Sequence, residues 1–236
     1  MNIDEVMDKR KSEILKESGI NSEKYRICER ISEKGDIDDL KTAEKFTENE
    51  EETENENYGE LSVGIDIGTT TVSAIVYDID KKESIEAYTV PHNSYIFSDT
   101  RSEQSVSVII DKAEKLLYHI LSSYKGIVSI GLTGQMHGIV YIDKKGVPIS
   151  NLINWQDKRA DIVLEDGETA CGKIKRITGE RIATGFGIAT HYYNVIRGEV
   201  PKGAVGFCSI MDLFGMKICG LERVIAHSSV AASYGL

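Results

Sequence analysis

A carboxylate stands beside a glycine–threonine turn in residues 61–78. Two runs rich in β-branched residues, 61–67 and 71–77, flank the link Gly68-Thr69-Thr70, and such runs around a short glycine-containing link predict a β-hairpin. Asp66 lies at the tip of the first strand. The N–H groups of such a turn can form an anion-binding concavity, and glycine lets a ligand approach the backbone. The pattern is typical of a phosphate chain held by the turn with a divalent cation near Asp66. It is equally typical of an ordinary hairpin in which Asp66 bonds its own turn.

A second segment with reactive and binding groups is Thr133–Gly138. Two glycines flank Gln135, Met136 and His137, directly after a predicted strand. Glycines let the backbone turn sharply, so the residues between them can face a cleft. Met136 could lie along the apolar edge of a sugar while Gln135 or His137 bonds a hydroxyl. A plain turn between two strands explains the same residues.

The third segment, Asn151–Arg159, contains the only tryptophan of the sequence. Trp155 supplies a flat apolar face. Gln156, Asp157 and Arg159 supply planar hydrogen-bonding groups, and the combination suits a polyhydroxylated ligand. The alternative is the start of a helix, with Asp157 near its N-terminus and Trp155 packed against it.

The elements around these segments predict an α/β domain. Strands are expected at 84–90 and 127–132, the second of them buried, and apolar residues recur at helical spacing over 105–121. The segment 92–104 is predicted to be a loop. Three strands, a helix and a further strand indicate an antiparallel meander with a parallel partner. Ligand sites in such sheets gather at the carboxyl ends of strands, and both the Gly68 turn and the glycine-flanked segment fall at such ends.

The rest of the chain predicts short elements. In order, they are helices at 172–181 and 185–197, a strand at 204–210 and a helix at 211–219. Gly220 is the expected C-cap of the last helix. Asp212 is expected to make a cap or a structural bond rather than to act as a base. Residues 228–236 show no terminating element.

The acidic residues are concentrated at the N-terminus. Residues 1–60 hold 19 of the 38 Asp and Glu but only 10 of the 28 Lys and Arg. Neither part of the chain has the basic excess that nucleic-acid phosphates attract, so no nucleic-acid partner is expected. Residues 1–46 could form weak amphipathic helices, and the polar run 47–60 a disordered linker. We expect an acidic leader over 1–60 and a folded domain over 61–236.

The cysteines and the hydropathy indicate a reducing, aqueous environment. Cys28, Cys171, Cys208 and Cys219 lie far apart and form no CxxC pair, so they are expected to be reduced thiols, mostly packed. No apolar run approaches the ~20 residues that span a bilayer, and the N-terminus lacks the apolar core of a signal peptide. We therefore expect a cytoplasmic protein with no membrane partner.

Taken in order along the chain, these segments resemble the FGGY carbohydrate kinases. The motifs that carry the resemblance are Gly64–Thr70, Glu103-Gln104, Gly134–Gly138 (GQMHG), Trp155–Arg159 (WQDKR), Ala183–Gly187 and Ala231–Ser233. GQMHG followed by WQDxR is most similar to the sedoheptulokinase branch of the family. The resemblance covers residues 61–236 and does not include the leader.

The resemblance implies an actin-like, ribonuclease-H-like ATPase-type fold, of which this chain supplies an incomplete N-terminal lobe. It implies transfer of the γ-phosphoryl group of ATP, with Mg²⁺, to a primary hydroxyl of a ketose such as sedoheptulose. It further implies that Asp66 positions Mg²⁺ and the phosphates, and that Gly68, Thr69 and Thr70 form the phosphate hairpin. The residues that it implies near the sugar are Gln135, Met136, His137, Trp155, Asp157 and Arg159.

Other features depart from the family pattern. The family's catalytic Asp and adenine-binding lobe belong to a later part of that pattern, which this chain is expected to lack. Val230 stands where relatives carry Asn or Asp, and Lys158 replaces a usual Gly. We therefore expect the chain alone to be inactive or nearly so, with a missing C-terminal lobe as its partner. Two alternatives stay open: a non-catalytic sugar-binding or regulatory remnant, and an actin-like or heat-shock-type ATPase, against which GQMHG and WQDKR argue.

Overall fold

The computed structural model describes residues 44–45 and 58–235. Within the predicted helical region 1–46, only 44–45 are described, and they form a short strand instead. The rest of that region, most of the predicted acidic linker and Cys28 lie outside these ranges. The described residues belong to two compact units. The first contains 44–45, 58–65, 73–90 and 113–131, and the second contains 66–72, 91–112 and 132–235.

The described part of the chain contains strands and helices in alternation. The strands are β1 Glu44–Lys45, β2 Leu61–Ile67, β3 Thr71–Asp78, β4 Glu83–Pro91, β5 Tyr95–Ser98, β6 Arg101–Gln104, β7 Ile127–Gly134, β8 Val140–Ile142, β9 Leu152–Ile153 and β10 Gly206–Cys208. The α-helices are α1 Val106–Ser123, α2 Ala170–Thr178, α3 Gly187–Arg197, α4 Ile210–Cys219 and α5 Ser228–Ser233, and a 3-10 turn spans Arg159–Asp161. These bounds confirm the predicted hairpin, the third strand and the first helix.

Five strands form one sheet in the order β1-β4-β3-β2-β7. Leu61 N donates to Gly126 O at 3.0 Å where β2 begins, and Gln135 N donates to Ile67 O at 2.9 Å where β2 ends. Because β2 and β7 begin and end together, they run parallel, and α1 is the crossover between the hairpin strands and β7. This confirms the predicted meander with a parallel partner.

The core of the first unit includes one face of β2 and β3. Along both strands, buried side chains alternate with less buried ones, and Val63, Ile65 and Val76 are among those buried. The apolar stripe of α1 is buried as well, with Leu117 and Ile120 inaccessible to solvent. The period of two in the strands and of about 3.6 in the helix thus both mark the core-facing side.

The prediction of a buried strand at 127–132 is wrong. Ile127 is the only buried residue of β7, and Val128 is 48% exposed. In the described sheet β7 comes last in the strand order, so it has a neighbouring strand on one side only. Apolar composition predicts a strand but does not tell whether the strand is central or at an edge.

The second unit contains two small antiparallel sheets, β5-β6-β9 and β10-β8. The prediction of a loop at 92–104 is wrong, because β5 and β6 form a hairpin in which Ser98 pairs with Arg101. β6 also pairs with β9, with Gln104 opposite Leu152. The sequence Arg-Ser-Glu-Gln of β6 has no apolar alternation, so its strand conformation comes from pairing with β5 and β9 and not from its own pattern.

Local signals set the helix ends of this unit. Ser209 is the N-cap of α4: its Oγ accepts from Asp212 N and donates to the Asp212 carboxylate. This confirms the structural role predicted for Asp212. Gly220 ends the same helix with φ 63°, as predicted. Residues 228–236, for which no element was predicted, contain α5.

The three described cysteines are free thiols, but only Cys208 is buried, and Cys219 is exposed. Burial raises the pKa of the Cys208 thiol to about 12, with the charge of Asp212 adding to the effect. Among the described helices, none combines the length and hydropathy needed to cross a membrane.

Candidate functional site

The link between β2 and β3 is a tight turn with an exposed carboxylate beside it. Gly68 N donates to Thr71 O at 2.9 Å, which closes the turn. A Cβ on Gly68 would lie 3.1 Å from Thr71 O and 3.5 Å from Oδ2 of the exposed Asp66. Any side chain at position 68 would crowd the turn and the carboxylate, so glycine keeps this surface open.

Two buried glutamines hold the carbonyl groups of the turn. Gln104 Nε2 donates to Thr69 O at 2.8 Å, and Gln135 Nε2 donates to Gly68 O at 3.2 Å. Gln104 is itself fixed, because Asn154 Nδ2 donates to its Oε1 at 3.3 Å. The structure therefore brings Gln135, predicted near the sugar, into contact with the predicted phosphate turn.

His92 contacts the same turn twice, and sequence reasoning missed it. Its ring Nε2 donates to Gly68 O at 3.3 Å, and its backbone N donates to Thr70 O at 3.1 Å. The residue is only 2% exposed. A single histidine after Pro91, in a segment predicted to be a loop, does not indicate a contact with the turn. The contact of Gln104 with the turn is weakly indicated, because Gln104 belongs to the Glu103-Gln104 motif.

Trp155 lies against the turn. Its indole Nε1 donates to Thr69 Oγ1 at 3.1 Å, while 47% of the residue stays exposed. Gly185 packs directly beneath its backbone: Gly185 has φ +85°, and a Cβ there would lie 2.0 Å from Trp155 O. The tryptophan segment and the glycine–threonine turn, 86 residues apart in sequence, thus form one surface within the second unit.

Met136 and His137 differ in how firmly they are held. Met136 is 54% exposed. His137 has φ +70°, and its Nδ1 donates to Ser233 O while its ring lies 4.2 Å from that of Phe186, centroid to centroid. Because Nδ1 carries the hydrogen, Nε2 of the neutral ring is an acceptor.

Asp157 and Arg159 form a buried ion pair. Arg159 Nε donates to Asp157 Oδ1 at 2.8 Å and Nη2 to Oδ2 at 3.0 Å. Asp157 Oδ2 also accepts from Ser102 N at 2.9 Å, and Arg159 also donates to Asn194 Oδ1 at 3.1 Å and to Glu103 Oε1 at 2.6 Å. Both members of the pair are at most 2% exposed. The pair joins β6 and α3 to the loop that carries Trp155.

Glu103 completes this ion-pair cluster, although it was not predicted as a site residue. Burial raises the pKa of its carboxyl, but hydrogen bonds from Asn151 and Arg159 and the charge of Arg159 together lower it below its ordinary value. Glu103 is therefore ionised at neutral pH, where it balances the guanidinium charge.

The described residues offer a limited set of metal ligands. None of their His, Cys, Asp and Glu side chains form a group of three or more that could hold a metal ion. A divalent ion at the turn would have Asp66 as a protein ligand and would complete its coordination with phosphate oxygens and water, an arrangement that suits Mg²⁺.

Comparison with solved structures identifies the fold. The chain is similar to a ligand-bound xylulose kinase from Lactobacillus acidophilus, with a TM-score of 0.63 and 21% identity over 75% of this chain and 36% of that chain. A gluconate kinase from the same organism gives a TM-score of 0.62 and 21% identity over the same shares. The fold is that of the actin-like sugar kinases, which confirms the predicted fold class.

Sequence comparison agrees. Residues 61–191 match the N-terminal domain of the FGGY family of carbohydrate kinases, and the chain belongs to this family. It is 30% identical to xylulose kinase of Staphylococcus xylosus over 52% of this chain and 26% of that protein. It is 26% identical to sedoheptulokinase of Homo sapiens over 74% of this chain and 41% of that protein. The chain thus spans about a quarter to two fifths of the length of these relatives.

Proposed function

We propose that this chain forms the sugar-binding and phosphate-binding part of an FGGY kinase that transfers the γ-phosphoryl group of ATP to a primary hydroxyl of a ketose. The proposed ketose is sedoheptulose or a sugar of similar length. Because the chain spans less than half of the relatives it matches, phosphoryl transfer is proposed for the whole kinase. Sugar binding is proposed for this chain itself.

One contact carries this proposal: the hydrogen bond from Trp155 Nε1 to Thr69 Oγ1 at 3.1 Å. A kinase must bring the hydroxyl that attacks and the phosphate that is transferred to the same place, since phosphoryl transfer depends mainly on positioning and charge neutralisation. The bond joins an exposed aromatic face, suited to a sugar, to a turn suited to phosphates.

The turn fits ATP and Mg²⁺. In the described residues, the N–H groups of Thr69 and Thr70 have no hydrogen-bond acceptor, so they are free to donate to phosphate oxygens. Asp66 is the proposed metal ligand. When bound, ATP with Mg²⁺ supplies the phosphoryl group and neutralises its developing charge.

The sugar would lie along Trp155, Met136 and His137. The exposed indole and thioether give the ligand two apolar surfaces, and His137 Nε2 gives it an acceptor. Asp157 and Arg159 support this surface by fixing the loop that carries Trp155. Their own contact with a sugar stays a prediction.

The proposal of sedoheptulose is supported by the length of one alignment. The alignment with sedoheptulokinase of Homo sapiens covers 74% of this chain, against 52% for xylulose kinase of Staphylococcus xylosus.

The emission of Trp155 tests the proposal directly, because no other tryptophan contributes. We expect sedoheptulose to change this emission at lower concentration than xylulose, and glycerol to have no effect. Met136→Ala should weaken sedoheptulose binding about fivefold, as the loss of one exposed apolar contact implies. Ile177→Ala removes an apolar side chain of similar exposure on α2 and is the matched control that should bind normally.

Nucleotide binding is measured separately, by calorimetry with ATP and Mg²⁺. Sugar binding without any nucleotide binding would contradict the phosphate role of the turn and leave a sugar-binding protein. No response to any ketose at millimolar concentration would contradict the sugar site.

A further inference from the structure

Each carbonyl group in the turn after β2 points into the protein and is bonded there. Gly68 O accepts from His92 Nε2 and from Gln135 Nε2, at 3.3 and 3.2 Å. Thr69 O accepts from Gln104 Nε2 at 2.8 Å, and Thr70 O accepts from His92 N at 3.1 Å. The turn is thus attached to buried donors at three consecutive peptide groups.

The direction of the carbonyl groups sets the direction of the next N–H groups. In a trans peptide the C=O of one residue and the N–H of the next point in opposite directions, and the described residues contain no cis peptide bond. Holding Gly68 O toward His92 therefore turns Thr69 N–H away from the interior. Holding Thr69 O toward Gln104 does the same for Thr70 N–H.

Among the described residues, neither of these two N–H groups has a hydrogen-bond acceptor. Thr70 is exposed and Thr69 partly so, and donors without a protein partner at such a surface can be reached by an external acceptor. An anion with several oxygens could satisfy both donors together.

We infer that His92 is a positioning residue: acting through Gly68 O, its ring aims the Thr69 N–H group at a polyphosphate, beside the Thr70 N–H group that Gln104 aims through Thr69 O. The inference rests on the proposed function and adds a residue to it that lies outside the recognised motifs. Gln104 and Gln135 share this task from the motif segments.

The chemistry of the imidazole ring fits this role. Gly68 O is an acceptor only, so Nε2 must carry the ring hydrogen, and Nδ1 is then an unprotonated nitrogen. Nδ1 is buried and has no partner among the described residues. Burial lowers the pKa of His92, and the bond to Gly68 O opposes this only in part. The neutral ring therefore acts as a fixed donor rather than as a charge.

The test uses the full ¹⁵N-labelled chain and magnesium tripolyphosphate as the probe. In the wild-type chain we expect the amide signals of Thr69 and Thr70 to move on titration, and the His92 ring to show the Nε2–H tautomer by long-range ¹⁵N–¹H correlation. His92→Phe should weaken tripolyphosphate binding about fivefold, since it removes one hydrogen bond to the turn. His92→Gln places an amide N–H near the Nε2 position and should restore binding.

His191 offers the matched control. It is a half-buried histidine of the same unit whose Nδ1 lies 2.9 Å from the Tyr141 hydroxyl. His191→Phe loses a comparable hydrogen bond away from the turn and should bind tripolyphosphate as the wild-type chain does. Sedoheptulose affinity should be unchanged in all three variants, because the sugar surface is not altered.

The outcomes separate the two proposals. Equal tripolyphosphate affinity of the wild-type chain and His92→Phe, or an Nδ1–H tautomer in the wild-type chain, would overturn the role of His92 alone. A wild-type chain that does not bind tripolyphosphate would overturn the phosphate site of the proposed function, and the role of His92 with it. If His92→Phe does not fold, two other measurements test the role of His92. An Nε2–H tautomer in the wild-type chain and normal tripolyphosphate affinity of His92→Gln would support it, and the opposite results would overturn it.

Discussion

Arg159 carries a buried positive charge that is balanced by two carboxylates. Its guanidinium bonds Asp157 through two nitrogens and Glu103 through one. Such a pair adds little net stability over an apolar core, but removal of one partner leaves uncompensated buried charge. The cluster therefore holds the loop that carries Trp155 in its conformation.

Replacing a buried arginine should therefore cost more stability than replacing a partly exposed one. Arg159→Met should lower the free energy of unfolding by about 3–5 kcal/mol, because Asp157 and Glu103 lose their counter-charge. Arg101→Met breaks a pair with Glu199 in which both side chains are partly exposed, at 37% and 29%. That change should cost less than about 1 kcal/mol. Urea unfolding of both variants measures the difference, and equal costs would argue against a buried cluster.

The pH dependence of stability follows from Glu103. The pKa of its carboxyl is lowered in the folded chain, because the bonds from Asn151 and Arg159 outweigh the burial that would raise it. The unfolded chain therefore binds the proton more readily, and Glu103 stabilises the fold above its ordinary pKa of 4.5. This stabilisation is lost as the pH falls through the folded-state pKa.

Unfolding free energies of the wild-type chain and Glu103→Gln, measured from pH 7 to pH 3, test this directly. The wild-type chain should be the more stable at pH 7, and the gap between the two unfolding free energies should narrow below pH 4.5. Glu199→Gln, which alters a partly exposed pair, should show a smaller gap throughout. A gap that widened on acidification would contradict the sign of the pKa shift.

At the scale of elements, the candidate site depends on how loops approach one another. Gly185 lies so close to Trp155 O that no side chain fits, and its φ of +85° also disfavours one. The Ala183–Gly187 motif thus packs against the backbone of the tryptophan loop, while the turn contacts the indole ring of Trp155. Glycine at this position is required by packing rather than by flexibility.

Gly185→Ala and Gly167→Ala separate packing from backbone strain. Gly167 has φ +84°, and a Cβ there would meet nothing within 4 Å, so its substitution should cost about 1 kcal/mol. Gly185→Ala adds a clash with backbone and should cost about 3 kcal/mol or more. It should also change the emission of Trp155, which Gly167→Ala should leave unaltered. Similar costs for both would show that the loop moves aside freely.

At the scale of the whole molecule, the residues of the candidate site all belong to the second unit, which contains 66–72, 91–112 and 132–235. The first unit has its own core on β2, β3 and α1. The site therefore does not draw side chains from the first unit. The acidic leader, the cytoplasmic location and the missing lobe stay predictions, since they concern residues and conditions outside the described part of the chain.

Hydrogen exchange read by mass spectrometry should reflect this division. With sedoheptulose bound, we expect slower exchange at residues 132–159 and around the turn, because a ligand that binds only the folded state suppresses local opening. The part of α1 in the first unit, residues 113–123, should exchange at an unchanged rate. Met136→Ala at the same sugar concentration is the control, and uniform protection of both units would indicate general stabilisation instead of a local site.

The sequence by itself determined the elements whose causes are local. Alternating β-branched residues gave the β2–β3 hairpin, the apolar stripe gave α1, and Ser209 with Gly220 gave the ends of α4. In each case the deciding interaction lies within a few residues, so composition and spacing record it. The motif order also predicted the family, because each motif keeps its own local pattern.

The tertiary structure alone decided what depends on distant partners. It added β9 to the β5–β6 hairpin, placed β7 at an edge, and brought His92 and Gln104 to the turn. It also paired Asp157 with Arg159 in a buried cluster rather than leaving both side chains free. A hydrogen bond such as that of Trp155 with Thr69 spans 86 residues, and its existence is set by how the chain packs, which no local pattern encodes.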